Sequence, residues 1–212
     1  HGHARTLCRQ LHRPVSVLWN PVDIDLYPFT PQKTSPPRLL SLNRIMATKG
    51  IHYFLQLCET LKMYGDVAGD DSTLVSDQAY VTNIKQRCAG SAYVQYHGLV
   101  NEETRIQLLR HAAATCCFKD GGYEEVFGLS AVESLATGTP VVCARSWGFE
   151  DIIEDGQSGF LCNALEEATQ KVPAALKLNP EVCRARAKLF DIHPRSEALA
   201  VMLQHVVEGC RW

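Results

Sequence analysis

The sequence lacks any large excess of charge of one sign. Its 21 lysines and arginines are nearly balanced by 23 aspartates and glutamates, which gives a formal net charge of −2 at pH 7. Proteins that bind nucleic acids or anionic membrane surfaces usually carry a basic excess that shows in this balance. The composition therefore favours small or neutral partners, and we predict no nucleic-acid partner.

Long hydrophobic runs are also absent. No apolar stretch reaches the roughly 18 residues that a membrane-spanning helix requires, and no signal-peptide pattern opens the chain. The 212 residues, 46% of them hydrophobic and 21% charged, suffice for one globular domain with a sizeable core. These features predict a cytoplasmic protein. The chain lacks an initiator methionine at His1, which indicates a fragment, a processed chain or an artificial boundary.

The nine cysteines form no C-x-x-C pair, and their number is odd. Two of them, Cys116 and Cys117, are adjacent in an apolar run, where a free cysteine behaves as a small hydrophobic residue. The pattern predicts reduced thiols, as in a cytosolic protein, rather than a disulfide framework or a metal site.

Short apolar runs and helical patterns alternate along most of the chain. Residues 15–19 are predicted to form a strand, followed by a proline-dotted linker that ends at Pro37. Further strands are predicted at residues 38–42, 64–69, 92–96, 114–118 and 140–144, and helices at residues 49–63, 77–88, 102–112, 129–136 and over most of 165–207. This alternation predicts an α/β fold with parallel strands around a buried sheet. Ligands of such sheets bind at the carboxyl ends of the strands.

Two cations follow the first strand of the predicted sheet. Arg44 and Lys49 lie five positions apart, and Thr48 is placed to cap the next helix. A lysine in the first turn of a helix opposes the helix dipole by ~0.3–1 kcal/mol, and an anionic ligand would reverse the sign of this interaction. Both cations are equally compatible with ordinary solvated side chains, so the residues by themselves leave the choice open.

Two glutamates flank a Phe-Gly-Leu turn further along the chain. Glu125 precedes the turn, and Glu133 lies eight positions later inside a predicted helix. The N–H groups at a helix start bind phosphate, and Gly128 allows a ligand to approach the backbone closely. Structural roles compete with this interpretation. Ser130 and Glu133 have the spacing of a capping box, and an acidic residue before a helix is favourable to the dipole.

A third candidate is the stretch Tyr96-His-Gly-Leu-Val100, which follows another predicted strand. Asn101 after it is placed to cap the next helix. A glycine loop in this position is suited to a flat ring such as a base, whereas a plain tight turn is the commoner case.

Together, these stretches resemble the C-terminal nucleotide-sugar-binding domain of the family-four, group 1 retaining glycosyltransferases, which have the two-domain GT-B fold. Five segments carry the resemblance, in order and with matched spacing. They are Asn20-Pro-Val-Asp23, the Arg44 and Lys49 pair, Tyr96-His-Gly-Leu-Val100, Glu125 and Glu133 with Gly138-Thr-Pro-Val-Val142, and Glu154-Asp-Gly-Gln-Ser-Gly-Phe-Leu161.

The resemblance implies a Rossmann-like parallel β-sheet flanked by helices, as the C-terminal half of a GT-B fold. It divides the chain into an entry strand and interdomain linker at residues 1–36, a donor-nucleotide-binding domain at residues 37–190 and a C-terminal helix at residues 191–212.

The resemblance also implies a role for each candidate residue. Glu125 would lie by the hydroxyls of the donor sugar, and Glu133 would accept hydrogen bonds from the ribose hydroxyls. Arg44 and Lys49 would stabilise the negative charge of the leaving diphosphate, without a protein nucleophile. Glu125, Arg44 and Lys49 are thus the implied catalytic residues. The implied donor-binding residues are Glu133, Phe127, Gly128, Leu129, Gly98 and Val100.

No cofactor and no metal are implied, because the nucleotide sugar is a substrate. Asp23-Ile-Asp25 does form a D-x-D triplet, the metal-binding signature of the other glycosyltransferase fold. It lies in the entry segment before the sheet begins, so we predict no metal site there.

The chain departs from the family pattern at Ser130, a commonly apolar position, and at residues 119–124, which replace a small Pro-Ser turn. It also has no room for the N-terminal domain that supplies the acceptor site in this family. We therefore expect three partners: a nucleotide-sugar donor, the missing domain, and a saccharide, lipid or small molecule as acceptor. We expect weak donor binding and no sugar transfer by this chain alone. The missing domain would also allow a peripheral membrane location.

Two alternative functions fit the same residues. A sugar-nucleotide epimerase with the GT-B fold would use carboxylate acid–base chemistry on the donor sugar. A non-catalytic nucleotide-sugar-binding module would bind the same ligand without a partner domain.

Overall fold

Strands and helices alternate along residues 17–208, the part of the chain that the computed structural model describes. The strands are β1 (Arg38–Leu42), β2 (Tyr64–Ala68), β3 (Val94–Gly98), β4 (Ala114–Cys117), β5 (Val141–Ala144) and β6 (Gly159–Cys162). The α-helices are α1 (Ile51–Leu61), α2 (Gln78–Gly90), α3 (Glu102–His111), α4 (Leu129–Ala136), α5 (Trp147–Ile152), α6 (Leu165–Ala175), α7 (Pro180–Ala187) and α8 (Ile192–Val207). Short 3-10 helices lie at Ile24–Leu26, Ala47–Lys49 and Lys188–Phe190.

All neighbouring strands of the sheet run parallel, in the order β3-β2-β1-β4-β5-β6. The chain builds the sheet outwards from β1 to β3, and then returns to add β4, β5 and β6 on the other side of β1. Sheets with such a reversal have a crevice at the carboxyl ends of the two strands where the order reverses. The predicted α/β Rossmann-like fold is thus confirmed, and the expected ligand position lies between β1 and β4.

Helices cover both faces of the sheet, which explains why its central strands are almost wholly buried. Every residue of β4 is buried, and in β1 only Arg38 is partly exposed. One core lies between the sheet and helices α1, α2 and α6. The other core joins the opposite face to α4, α5 and α7. Because helices cover both faces, the carboxyl ends of the strands are where a ligand can reach the sheet.

The predicted and observed elements agree best at β1 and α4, which have the predicted bounds. Strand β3 begins two residues later than predicted, because Val94 is the residue that pairs with β2. Helix α1 begins at Ile51 and not at residue 49, because Gly50 adopts a left-handed conformation that interrupts the helix. Helix α5 and strand β6 were not predicted.

The entry segment packs against the domain. Of the predicted strand at residues 15–19, residues 17–19 have no regular secondary structure, and residues 15 and 16 lie outside the described part. Val22 and Tyr27 are buried, and the N–H of Val22 donates to the carbonyl of Phe190 at 2.9 Å. Arg184 on α7 donates from Nη1 to the carbonyl of Tyr27 at 2.6 Å. The proposed divisions at residues 36 and 190 stay predictions.

The seven cysteines among residues 17–208 are all buried free thiols. Burial raises the pKa of Cys117 to about 11, so this thiol stays protonated and unreactive at neutral pH. Over the same residues, no helix is both long and apolar enough to cross a membrane.

Candidate functional site

A cleft of about 360 Å³ opens between the carboxyl ends of β1 and β4. It lies at the reversal point of the sheet, where ligands of such folds bind. The connection after β1 forms one wall, and the connection after β4 with the start of α4 forms the other. Seven of the predicted site residues line it: Arg44, Lys49, Glu125, Phe127, Gly128, Leu129 and Glu133.

Lys49 is placed by a tight turn after β1. The 3-10 helix Ala47–Lys49 ends at Gly50, whose φ of 59° is left-handed, and a Cβ there would lie 2.8 Å from the Cβ of Phe118. Both the backbone conformation and the lack of space therefore require glycine. Helix α1 starts from Gly50 without a side-chain cap, so the prediction that Thr48 caps this helix is wrong. Lys49 itself is only 8% exposed.

The Lys49 ammonium forms an ion pair with the Glu125 carboxylate. It also donates a hydrogen bond to the Tyr123 hydroxyl at 3.0 Å and lies 4.6 Å from the centroid of the Tyr123 ring. Burial opposes the charge on Lys49, but the hydrogen bonds with Glu125 and Tyr123 outweigh it and raise the pKa of Lys49. The cleft thus contains a buried, permanently charged ammonium group.

The backbone of Glu125 is fixed by the connection between β5 and α5. The N–H of Glu125 donates to Ser146 Oγ at 2.6 Å, and its carbonyl accepts from the Gly148 N–H at 2.7 Å. Ser146 is 2% exposed, so this support is well shielded from solvent. These bonds hold the main chain in place while the Glu125 carboxylate reaches Lys49.

The turn before α4 is shaped by close packing at Gly128. A Cβ at this position would lie 2.2 Å from Cε1 of Phe149, so no larger residue fits without movement. Phe127 packs against Phe190 at 5.7 Å between ring centroids. Helix α4 begins at Gly128 with no side-chain cap. Its first N–H groups therefore lie at the cleft without competition from a capping side chain.

Glu133 lies on α4 and accepts a hydrogen bond from Arg105 Nη1 at 2.6 Å. The alternative role of Ser130 and Glu133 as a capping box is not observed, because Gly128 is the N-cap and the Ser130 hydroxyl lies 3.9 Å from Cys117 Sγ. The Glu133 side chain is 10% exposed. Its carboxylate is thus held by a neighbouring helix and lines the cleft, with no role in starting α4.

Arg105 also links Glu133 to the entry segment. Its guanidinium carbon lies 5.7 Å from the centroid of the Tyr27 ring, and Tyr27 is buried. Burial, followed by the negative charge of Glu133, raises the pKa of Tyr27, so its hydroxyl stays protonated. Asn101 caps α3 through its side-chain oxygen and the N–H of Thr104 at 2.9 Å, as predicted.

Two predicted site residues do not line the cleft. Gly98 is the last residue of β3, and its carbonyl accepts a hydrogen bond at 2.8 Å from the N–H of Gly69, which does line the cleft. Val100 is partly buried and packs against the core on the α4 side of the sheet. Their suggested position beside a base stays a prediction.

Five residues of the lining were not among the predicted site residues: Leu42, Asn43, Gly69, Arg105 and Ser130. Asn43 and Gly69 directly follow β1 and β2, so the rule that ligands bind at strand ends would have found them. Arg105 lies four residues after the cap of a helix that follows a strand, which places it near the same edge. Its contact with Glu133 is a long-range one that no local pattern predicts.

The D-x-D triplet has a local structural role. Asp23 caps the 3-10 helix Ile24–Leu26 by accepting a hydrogen bond from the Asp25 N–H at 3.1 Å. Among the residues that the structure describes, no group of three or more His, Cys, Asp and Glu side chains is arranged to hold a metal ion.

A parallel sheet of this order with a cleft at its reversal point defines the chain as a Rossmann-like α/β domain. The chain belongs to the family described as glycosyl transferases group 1, whose profile matches residues 24–188. The resemblance inferred from the five sequence segments is thus confirmed.

Individual relatives agree with this family. The chain is 28% identical over 174 residues to a phosphatidyl-myo-inositol mannosyltransferase of Mycobacterium leprae, a match that covers 79% of this chain and 45% of the relative. It is 38% identical over 104 residues to a D-inositol 3-phosphate glycosyltransferase of Streptomyces griseus, which covers 49% of this chain and 21% of that protein.

Solved structures show the same fold. Sucrose-phosphate synthase of Thermosynechococcus elongatus has a TM-score of 0.80 at 19% identity, over 97% of this chain and 56% of that one. Anabaena HepE in complex with UDP and glucose has a TM-score of 0.71 at 20% identity, over 89% of this chain and 56% of that one. This chain therefore spans about half the length of these proteins.

Proposed function

We propose that this chain is the donor-binding domain of a retaining glycosyltransferase that uses a nucleotide sugar. The observation that supports this most strongly is that four charged residues line one cleft. Arg44 and Lys49 come from the connection after β1, Glu125 from the connection after β4, and Glu133 from α4. Cations and carboxylates together at the reversal point of the sheet match the two kinds of group that a nucleoside diphosphate sugar presents. These are an anionic diphosphate and neighbouring pairs of hydroxyls.

The diphosphate would bind between the cations and the start of α4. Arg44 is exposed, Lys49 is a buried cation, and the uncapped N–H groups of α4 add partial positive charge. When the bond to the sugar breaks, negative charge grows on the departing diphosphate. Preorganised cations and N–H groups stabilise that charge without any metal or protein nucleophile.

The carboxylates would accept hydrogen bonds from the hydroxyl groups of the donor. Glu133 has one oxygen bonded to Arg105, and its carboxylate can accept further hydrogen bonds from a ribose diol. Glu125 would lie beside the transferred sugar, with its position set by Ser146 and its charge balanced by Lys49. The complexes of HepE with UDP and with UDP-glucose make uridine nucleotides the first candidates.

The acceptor would bind on a further domain. The chain covers only 45% of the mycobacterial relative and 56% of HepE, and we propose that an N-terminal domain completes the enzyme. The acceptor would be a saccharide, a lipid or a small molecule, in a cytoplasmic enzyme or one peripheral to a membrane. Without that domain, we expect donor binding to be weak and transfer to be absent.

The proposal is tested by calorimetric titration of the chain with UDP, GDP and ADP. Saturable binding of one nucleotide supports the donor site and identifies the base, whereas no binding of any of the three contradicts it. The reaction class is tested by supplying the acceptor-binding domain and a nucleotide sugar. A glycosidic product with the anomeric configuration of the donor supports retaining transfer. An epimerised donor sugar without a glycosidic product would show the epimerase alternative instead.

A further inference from the structure

A second cavity, of about 560 Å³, lies on the other face of the sheet from α4. It opens at the carboxyl ends of three adjacent strands, β4, β5 and β6, and is closed from the side by α1 and the start of α6. This cavity shares no lining residue with the donor cleft. Its volume is within the range of small-molecule sites, and its position at strand ends is one where α/β sheets bind ligands.

The lining side chains fall into three chemical kinds. Apolar surface comes from two aromatic rings and an aliphatic side chain, Tyr53, Phe118 and Leu165. Groups suited to hydroxyls are two amides and a carboxylate, Gln56, Asn163 and Glu166. The cations are Lys119 and Arg145. This combination suits a ligand with a ring, several hydroxyl groups and an anionic group.

Both cations are paired with carboxylates outside the lining of the cavity, and Arg145 Nε also donates to Oδ1 of the lining residue Asn163 at 3.2 Å. Lys119 pairs with Glu124, and Arg145 Nη1 lies 3.2 Å from Glu150 Oε1. The side chains of Lys119 and Arg145 are 24% and 43% exposed, so both remain within reach of solvent and of a ligand. The Arg145–Glu150 pair is exposed and therefore weak, and a phosphate group can compete with both carboxylates for their donors.

A short chain of contacts joins this cavity to the donor cleft. Lys119 pairs with Glu124, whose other oxygen accepts a hydrogen bond from the Ser146 hydroxyl at 2.8 Å. Ser146 in turn accepts the N–H of Glu125 at 2.6 Å. An anion that draws Lys119 away from Glu124 would therefore disturb the support of Glu125, the carboxylate beside Lys49.

We propose that this cavity is a second ligand site that binds a monosaccharide phosphate. The phosphate contacts Lys119 and Arg145, and the hydroxyls bond to Gln56, Asn163 and Glu166. The sugar ring packs against Tyr53 and Phe118. The site itself does not depend on the proposed transferase function, because its residues are separate from those of the donor cleft.

The site is tested by calorimetric titration of the chain with mannose 6-phosphate. Mannose and inorganic phosphate are titrated separately as partial probes, because each carries only one of the two groups of the sugar phosphate. We expect mannose 6-phosphate to bind saturably, and about tenfold or more tightly than either partial probe. Arg145→Gln should weaken the binding of mannose 6-phosphate about tenfold. The control is Lys85→Gln, which should leave this affinity unchanged, because Lys85 is a surface residue on α2 paired with Asp71. Gln56→Leu is a second test variant that leaves the cations intact, and it should also weaken binding.

Three results would overturn the site. They are no saturable binding of mannose 6-phosphate, equal affinity in the wild type and both cavity variants, and complete loss of mannose 6-phosphate binding at saturating UDP, which would show that both ligands occupy one site. Thermal unfolding of each variant shows that the comparison is made between folded proteins.

The link to the donor cleft is tested by titrating UDP with and without saturating mannose 6-phosphate. This experiment rests on the proposed function, because it requires the donor cleft to bind UDP. We expect the UDP affinity to change about fivefold. Glu124→Gln should abolish the change, because it removes the carboxylate that joins Lys119 to Ser146. An unchanged UDP affinity in the wild type would contradict the link. If UDP does not bind at all, the donor site fails while the sugar-phosphate titration still decides the second site.

Discussion

Arg105 and Glu133 form an ion pair across the wall of the donor cleft, with 2.6 Å between Nη1 and Oε1. The pair ties α3 to α4, and Tyr27 from the entry segment lies against it. Both cleft carboxylates are thus paired with a cation, Glu133 with Arg105 and Glu125 with Lys49. A carboxylate has several acceptor sites, so each of these groups can accept hydrogen bonds from hydroxyl groups in addition to its contact with a cation.

Replacing Glu133 tests the role of this carboxylate. We expect Glu133→Gln to weaken the binding of a nucleoside diphosphate by about 1–3 kcal/mol, because charged hydrogen bonds to the ribose are lost. Calorimetry of the variant measures this directly. The matched control is Glu102→Gln, since Glu102 also contacts Arg105, at 3.5 Å, but its side chain is 64% exposed. Unchanged nucleotide affinity in Glu133→Gln would contradict the ribose assignment.

The tight packing at Gly128 predicts a steric cost. An added Cβ would meet the Phe149 ring at 2.2 Å, so Gly128→Ala should lower the free energy of unfolding by about 1–3 kcal/mol. Urea denaturation measures this loss. The double variant Gly128→Ala, Phe149→Leu replaces the ring with a smaller side chain and should recover part of the lost free energy of unfolding. If the double variant loses the full sum of the two single changes, the clash is not the cause.

Much of the fold and part of the site could be predicted from local sequence. The bounds of β1 and α4 follow from apolar runs and from the glycines that flank α4, which are local signals. The Ser130 capping box was also a local signal, and it failed because Gly128 already starts the helix. Spacing alone could not decide between these two helix starts.

The remaining parts of the site depend on contacts between distant residues. Arg105 reaches Glu133 from another helix, and Ser146 supports Glu125 from the connection after β5. Helix α5 was missed because its six residues are too few to show a helical period. Only the packed sheet brings these groups together, so one sequence without its fold contains no direct sign of them.

Lys33 predicts a dependence of stability on pH. Its Nζ donates to Thr139 Oγ1 at 2.7 Å and to the carbonyl of Thr137 at 3.2 Å, and burial lowers its pKa to about 8. Between pH 8 and 10.5 the unfolded chain therefore holds a proton on Lys33 that the folded protein has released. Stability rises with pH through this window, because the unfolded state binds more protons.

The rise in stability with pH is measured by comparing the wild type with the variant Lys33→Met. The free energy of unfolding of the wild type minus that of the variant should increase by on the order of 1–2 kcal/mol between pH 7.5 and pH 9.5. Chemical denaturation at several pH values gives this difference, and other titrating groups cancel because both proteins share them. A difference that stays constant over the range would show that Lys33 keeps its proton in the folded protein.

The central claim is that the cleft between β1 and β4 binds a nucleoside diphosphate through Lys49. The most direct test is calorimetric titration of UDP, GDP and ADP into the wild type, Lys49→Met and the control Lys177→Met, an exposed lysine outside the lining of the cleft. We predict that one nucleotide binds the wild type and Lys177→Met equally, and binds Lys49→Met about tenfold or more weakly. Equal affinity of that nucleotide for all three proteins, or no binding of any nucleotide to the wild type, would contradict the claim.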